Sequence, residues 1–195
     1  MMPSELPVRN CTALESLQIA AAKLRLGLLQ SRELAHLAMA ALDEGHSGVS
    51  LGELAVERIP SLREHEGLFL EALQECGIQM PSAERAVEIL LGHCVEMIAT
   101  GAIQPYDGLE QMMSKLYHPY ISDIPVARYV GDQRGLQHLI GAYHAYDDLR
   151  FRPEEVSFED LYGDEALIAL DQSVRRLAQA WLRDQIDVEG GTQIP

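Results

Sequence analysis

The chain has 195 residues, 47% of them apolar, and carries 30 acidic against 15 basic side chains, a formal charge of −15. That length suffices to bury roughly 70% of the unfolded surface in one domain, and no stretch approaches the ~20 uninterrupted apolar residues of a membrane span. A surface this acidic repels phosphate backbones and anionic lipid, which argues against nucleic-acid and membrane partners and favours association with a basic protein.

Residues 1–11 hold Pro3 and Pro7 without periodicity and read as an extended arm, with no basic start and apolar run of a secretion signal. Thr12 and Glu15 form a capping box that opens a first helix. Leu14, Leu17, Ala21, Leu24 and Leu28 make its apolar stripe. Ser31 is placed to cap a second helix that runs to about Glu44 and stops at Gly45. The short break between them predicts an antiparallel hairpin, with one kinked helix as the alternative. Ser50 with Glu53, and Ser61 with Glu64, repeat the capping-box pattern ahead of two further helices. The first of these must end before Pro60, and the second runs through Phe69, Ala72, Leu73 and Cys76 to a stop at Gly77.

Pro81 and Ser82 then open the stretch around which the fold is expected to organise, SAERAVEILLGHCVEMIATG, closed by Gly101. Its seam is Ala83, Val87, Leu90, Cys94 and Met97, widened by Ala86, Leu91, Val95 and Ile98. Pro105 suits a helix start ahead of Leu109, Met112, Met113 and Leu116. Pro119 and Pro125 break the following segment, and 117–131 reads as a long loop, with a helical turn within it as the alternative. Asp132 can cap a helix from about Gln133 to Leu149, SFEDLYG reads as a turn, and Asp164 caps a last helix. The stripe of that helix ends at Trp181, a candidate anchor, and 188–195 reads as a disordered tail.

The pattern therefore predicts an all-α protein, a single irregular helical bundle of about seven to nine helices over 12–187. The stretches S50-L-G-E-L-A55 and A72-L-Q-E-C-G-I78 resemble uncharacterised bacterial all-helical proteins over about residues 30–120. That resemblance implies a helical fold and carries no activity and no site residue with it. Three scattered cysteines, Cys11, Cys76 and Cys94, suit a reducing cytoplasm with buried thiols better than disulfides or a zinc knuckle.

Residues 101–146 carry only four acids and three bases, and six of the seven tyrosines fall at 106–146. Tyrosine couples an apolar ring to a polar tip, which suits recognition surfaces. Tyr106, Tyr117, His118, Tyr120, Tyr129 and Tyr143 are accordingly the candidate partner-binding residues, framed by acidic helices. The competing account is that these rings pack an irregular segment onto the bundle. A second candidate is His144 with Asp147 or Asp148, which share a helix face and could form an acid–base or ligand pair. One histidine and one carboxylate fall short of the three or four ligands of a metal site. No phosphate-cradling glycine loop or nucleophile elbow is present, and no cofactor is expected. The expected function is thus a non-catalytic interaction module that captures a basic partner, in the manner of immunity proteins or adaptors. The alternative is a small helical enzyme or metal-binding protein using His144. The broad apolar stripes of the first two helices also permit self-association.

Overall fold

The structure, a computed structural model, describes residues 11–57, 61–122 and 133–190, with 133 and 186–190 described by backbone alone. The expected arm and tail ends, Asp132, Pro125 and Tyr129 lie outside these residues. Among the described residues eight α-helices follow one another: α1 (Ala13–Arg25), α2 (Glu33–Asp43), α3 (Val49–Val56), α4 (Leu62–Glu75), α5 (Ala83–Thr100), α6 (Pro105–Met112), α7 (Gln137–Phe151) and α8 (Gly163–Gly190). A π-helical segment, Met113–Ile121, continues α6, and a single 3-10 turn, Gln133–Gly135, precedes α7. The protein is all-α, as the capping and periodicity imply. Its described residues fall into two compact units, those within Arg9–Leu90 and those within Leu91–Pro195, with the boundary inside α5.

In the first unit, α1 and α2 form the antiparallel hairpin. Glu44, just past α2, accepts the Ala13 amide at the start of α1 at 2.9 Å, and Lys23 near the end of α1 pairs with Glu33 at the start of α2. Gly27, in the left-handed conformation at φ 68°, ends α1 earlier than the Leu28 stripe implies. Leu17, Leu34, Leu51, Leu54, Phe69 and Leu73 form the centre of this unit's apolar core.

Thr12 and Glu15 make the predicted capping box. Ser82 caps α5 as expected, its hydroxyl accepting the Arg85 amide at 3.1 Å, but the starts of α3 and α4 depart from the capping-box pattern. α3 begins two residues early, at Val49 with Gly48 at its N-cap, and Ser50 is buried within its first turn with its hydroxyl donating to Glu71. The cap of α3 is Glu75, from the end of α4, whose carboxylate accepts the Ser50 and Leu51 amides at 3.1 and 3.3 Å. Ser61 stands at the N-cap of α4 without capping through its side chain. The Leu62 amide instead donates to Ser31 Oγ at 2.9 Å, so the serine expected to cap α2 caps α4. The sequence pattern places the helix starts. Antiparallel packing then brings more favourable oxygens to the orphan amides than the local serines offer.

α5 holds its predicted length, but the deepest burial runs through Ala86, Leu91, Val95 and Ile98. Ala83 is exposed, and Cys94 and Met97 are half-buried. In the second unit the end of α5 meets α6 where Gly108 has no side chain. A Cβ there would lie 2.4 Å from Ile98 Cγ1, so glycine permits the approach. Cys94 Sγ donates to the Gly108 carbonyl at 3.3 Å. Gln179 of α8 donates to the Ala99 carbonyl at 3.3 Å, fixing α8 against the same helix.

The segment from Tyr117 to Ile121, expected as loop, is π-helical, with the Ser122 amide donating to the Tyr117 carbonyl at 2.8 Å. Pro119 cannot donate and crowds the carbonyl four residues back in an α-helix; pairing five residues back widens the turn around it. α7 begins at Gln137 and runs to Phe151. Trp181 is half-buried, and its indole donates to the carbonyl of the left-handed Arg134 at 2.8 Å, so it anchors α8 to the approach of α7 through a polar tip. α8 continues to Gly190, past the expected end of the helical region.

Candidate functional site

The tyrosines of α6 and α7 gather at one place. Tyr106, one residue into α6, stacks on Tyr143 with ring centroids 6.0 Å apart and planes inclined by 14°. It also meets Tyr146 edge-on at 5.4 Å. Tyr143 and Tyr146 lie three apart on α7, so both rings reach the same helix flank. Tyr146 is buried and its hydroxyl donates to Asp171 of α8. Burial, reinforced by that hydrogen bond and by the Asp171 charge, drives the Tyr146 phenol above its ordinary range. It stays protonated and acts as a clamp between α7 and α8 rather than as an acid.

The other two rings are half-buried. Arg150, a further turn along α7, lays its guanidinium over the Tyr106 ring, 3.5 Å from the centroid. The Tyr143 phenol is raised by burial and then by the nearby charge of Asp147, by Tyr106 and by Glu110. Both carboxylates therefore stand close enough to Tyr143 to bear on it electrostatically. The arrangement is an aromatic pair beside acids, with one cation already seated on it.

Of the six candidate partner-binding residues, the structure brings Tyr106 and Tyr143 together. Tyr117, His118 and Tyr120 sit on the π-helical segment instead. Tyr117 is 4% exposed and contributes its ring to packing, with His118 edge-on to it at 5.5 Å. His118 and Tyr120 are exposed. Tyr129 lies outside the described residues.

His144 is exposed on α7, with its ring edge-on to Tyr143 at 5.6 Å. Asp148 pairs with Arg152 at 3.2 Å rather than with His144, and Arg150 lies over the Tyr106 ring. Among the described residues no group of three or more His, Cys, Asp or Glu side chains is placed to hold a metal ion. Cys94, beside His93, is no nucleophile: burial pushes its thiol up to about 11, leaving little thiolate at neutral pH. In the first unit, Ser16, Arg32, Glu33, His36, Leu37 and Ala40 line an open groove of about 460 Å³. Its Glu33 is already engaged by Lys23 and the Gln30 amide.

Sequence reasoning missed the roles of Arg150 and Asp171. The signal for Arg150 was its spacing of four from Tyr146 and seven from Tyr143, which places all three on one side of α7. Asp171 gave no local signal, because its partner is 25 residues away. No family model, curated protein or solved structure matches this chain.

Proposed function

We propose that this protein is a non-catalytic interaction module that captures a basic protein partner, with Tyr106 and Tyr143 at the centre of the contact. The observation that carries the reading is the stacked pair itself: two half-buried rings, with Glu110 and Asp147 close by, already holding the Arg150 guanidinium on Tyr106. An arginine or lysine of a partner meets there the ring quadrupole and carboxylates together. The formal charge of −15 steers such a partner towards the molecule from beyond contact range. Tyr146 and Asp171 hold the platform from beneath, so little ordering is left to be done on binding.

The test is capture from lysate of the source organism at low and at physiological salt, with retained proteins identified by mass spectrometry. A single basic protein is expected at both salts, with slower association at the higher one. It should be lost from a Tyr106→Ala/Tyr143→Ala variant and weakened in Glu110→Gln/Asp147→Asn, whose surface changes leave the fold intact by circular dichroism. Equal retention by both variants would remove the tyrosine pair from the function.

A further inference from the structure

The corner between α7 and α8 exposes three large apolar side chains that the tyrosine platform does not use. Phe151 ends α7 with 84% of its surface exposed, Tyr162 precedes α8 at 55%, and Ile168 stands on α8 at 59%. Phe151 and Tyr162 bound the connection between the two helices, and Ile168 stands a turn and a half into α8. The Gly163 amide donates to the Pro153 carbonyl at 3.2 Å, which ties the start of α8 to the chain just past α7. Between them Phe158 and Leu161 exchange two backbone hydrogen bonds of 3.0 Å across Glu159 and Asp160. Both central residues are left-handed, at φ 52° and 62°. That is the two-residue hairpin turn that asparagine and glycine ordinarily fill, and here two exposed carboxylates occupy it. Glu154, Glu155, Asp164 and Glu165 are exposed as well, so residues 151–168 present six acids against one base, Arg152, while Arg176 of α8 reaches Glu159 at 3.9 Å and leaves the corner still acidic on balance.

We infer that this corner is a docking surface for a cationic amphipathic helix of a partner protein, an inference that rests on the basic-partner reading above and names a second place where that partner is held. Charge complementarity selects the occupant. The apolar side chains of such a helix cover Phe151, Tyr162 and Ile168, while flanking lysines and arginines meet the six carboxylates. A second copy of this chain would bring two acidic rims face to face, and nucleic acid or anionic lipid would meet like charge. Phe151 lies eight residues beyond Tyr143, about 12 Å along α7 and within 80° around it, so one helix of a partner can span both surfaces.

The probe is a synthetic leucine–lysine peptide of about five helical turns with its leucines on one face, beside a scrambled peptide of the same composition. Binding to the full chain is read by fluorescence anisotropy. The amphipathic peptide is expected to bind more tightly than the scrambled one, and Phe151→Ser/Ile168→Ser to weaken it about tenfold. Glu159→Asn/Asp160→Gly gives the turn its favoured residues, so it should melt no lower than the parent while binding about threefold more weakly and with less salt dependence. Equal binding of the two peptides, no binding at low salt, or full binding by Phe151→Ser/Ile168→Ser overturns the proposal. A dimer in light scattering that Phe151→Ser dissolves also overturns it, since the occupant is then a second copy. Loss of peptide binding only in Tyr106→Ala/Tyr143→Ala sinks the corner and leaves the basic-partner reading standing, whereas capture failing while peptide binding behaves as expected sinks that reading alone.

Discussion

Tyr146 shows how one side chain can be common to packing and site. Its ring closes the core under Tyr106, and its hydroxyl satisfies the Asp171 carboxylate, which is half-buried. A hydrogen bond to a charged group of this kind contributes about 1.5–3 kcal/mol. Tyr146→Phe keeps the ring and leaves the carboxylate without that donor, so unfolding by urea should show a loss of about 2 kcal/mol. The platform would then be held less firmly, and partner binding should weaken through faster dissociation. Unchanged stability would mean that water replaces the phenol and that Tyr146 serves by packing alone. The sequence marks Tyr146 as one of a crowd of tyrosines, but burial on the α8 side and the Asp171 bond are tertiary facts with no local trace.

At the scale of elements, helix starts were legible, and their caps only in part: Thr12 and Ser82 cap α1 and α5 as their positions imply, whereas α3 and α4 take their caps from elsewhere. Thr- or Ser-x-x-Glu motifs marked the openings of α1, α3 and α4 to within a residue or two. Only the Thr12–Glu15 box forms, because Glu75 and Ser31 arrive from other helices with oxygens aimed at the same amides. The glycine stops transferred well: Gly77 is left-handed at φ 71°, and the Ile78 amide closes α4 on the Leu73 carbonyl at 2.8 Å. A backbone conformation is local, whereas a carboxylate from 24 or 25 residues away is not. The π-helical turn was read as loop for the same reason: proline forbids the α-helical bond, and only packing of Leu116, Tyr117 and Ile121 decides that a wider helix replaces it. The Glu75 cap makes a local prediction. In Glu75→Ala, hydrogen exchange at Ser50 and Leu51 should speed up markedly while amides in α7 keep their protection. If those two amides exchange as slowly as before, they are protected by something other than the carboxylate.

Across the whole molecule, two opposing charge effects set the response to pH and salt. Self-repulsion at −15 opposes the folded state, so screening between ~20 mM and ~300 mM salt should raise the melting temperature near neutral pH. Lowering the pH modestly towards 6 reduces the net negative charge and relieves the same repulsion. Further acidification reverses the trend. Hydrogen bonds from the Ser50 and Leu51 amides hold the Glu75 carboxyl below its ordinary 4.5 against desolvation. Glu33 is also lowered: burial acts to raise it, but the Lys23 ammonium and the Gln30 amide together outweigh that. A carboxylate depressed in the folded state lends stability that is present above its unfolded value and lost as pH falls through its folded one. These two contributions are therefore whole above about pH 5 and decline below 4.5, taking with them the α3 cap and the α1–α2 pair. Melting temperature against pH should pass through a maximum between about 5 and 6 at low salt, and Glu33→Gln/Glu75→Gln should flatten its acid limb. A curve that falls steadily from pH 7, or an acid limb untouched by the double variant, would assign the acid sensitivity to other carboxylates.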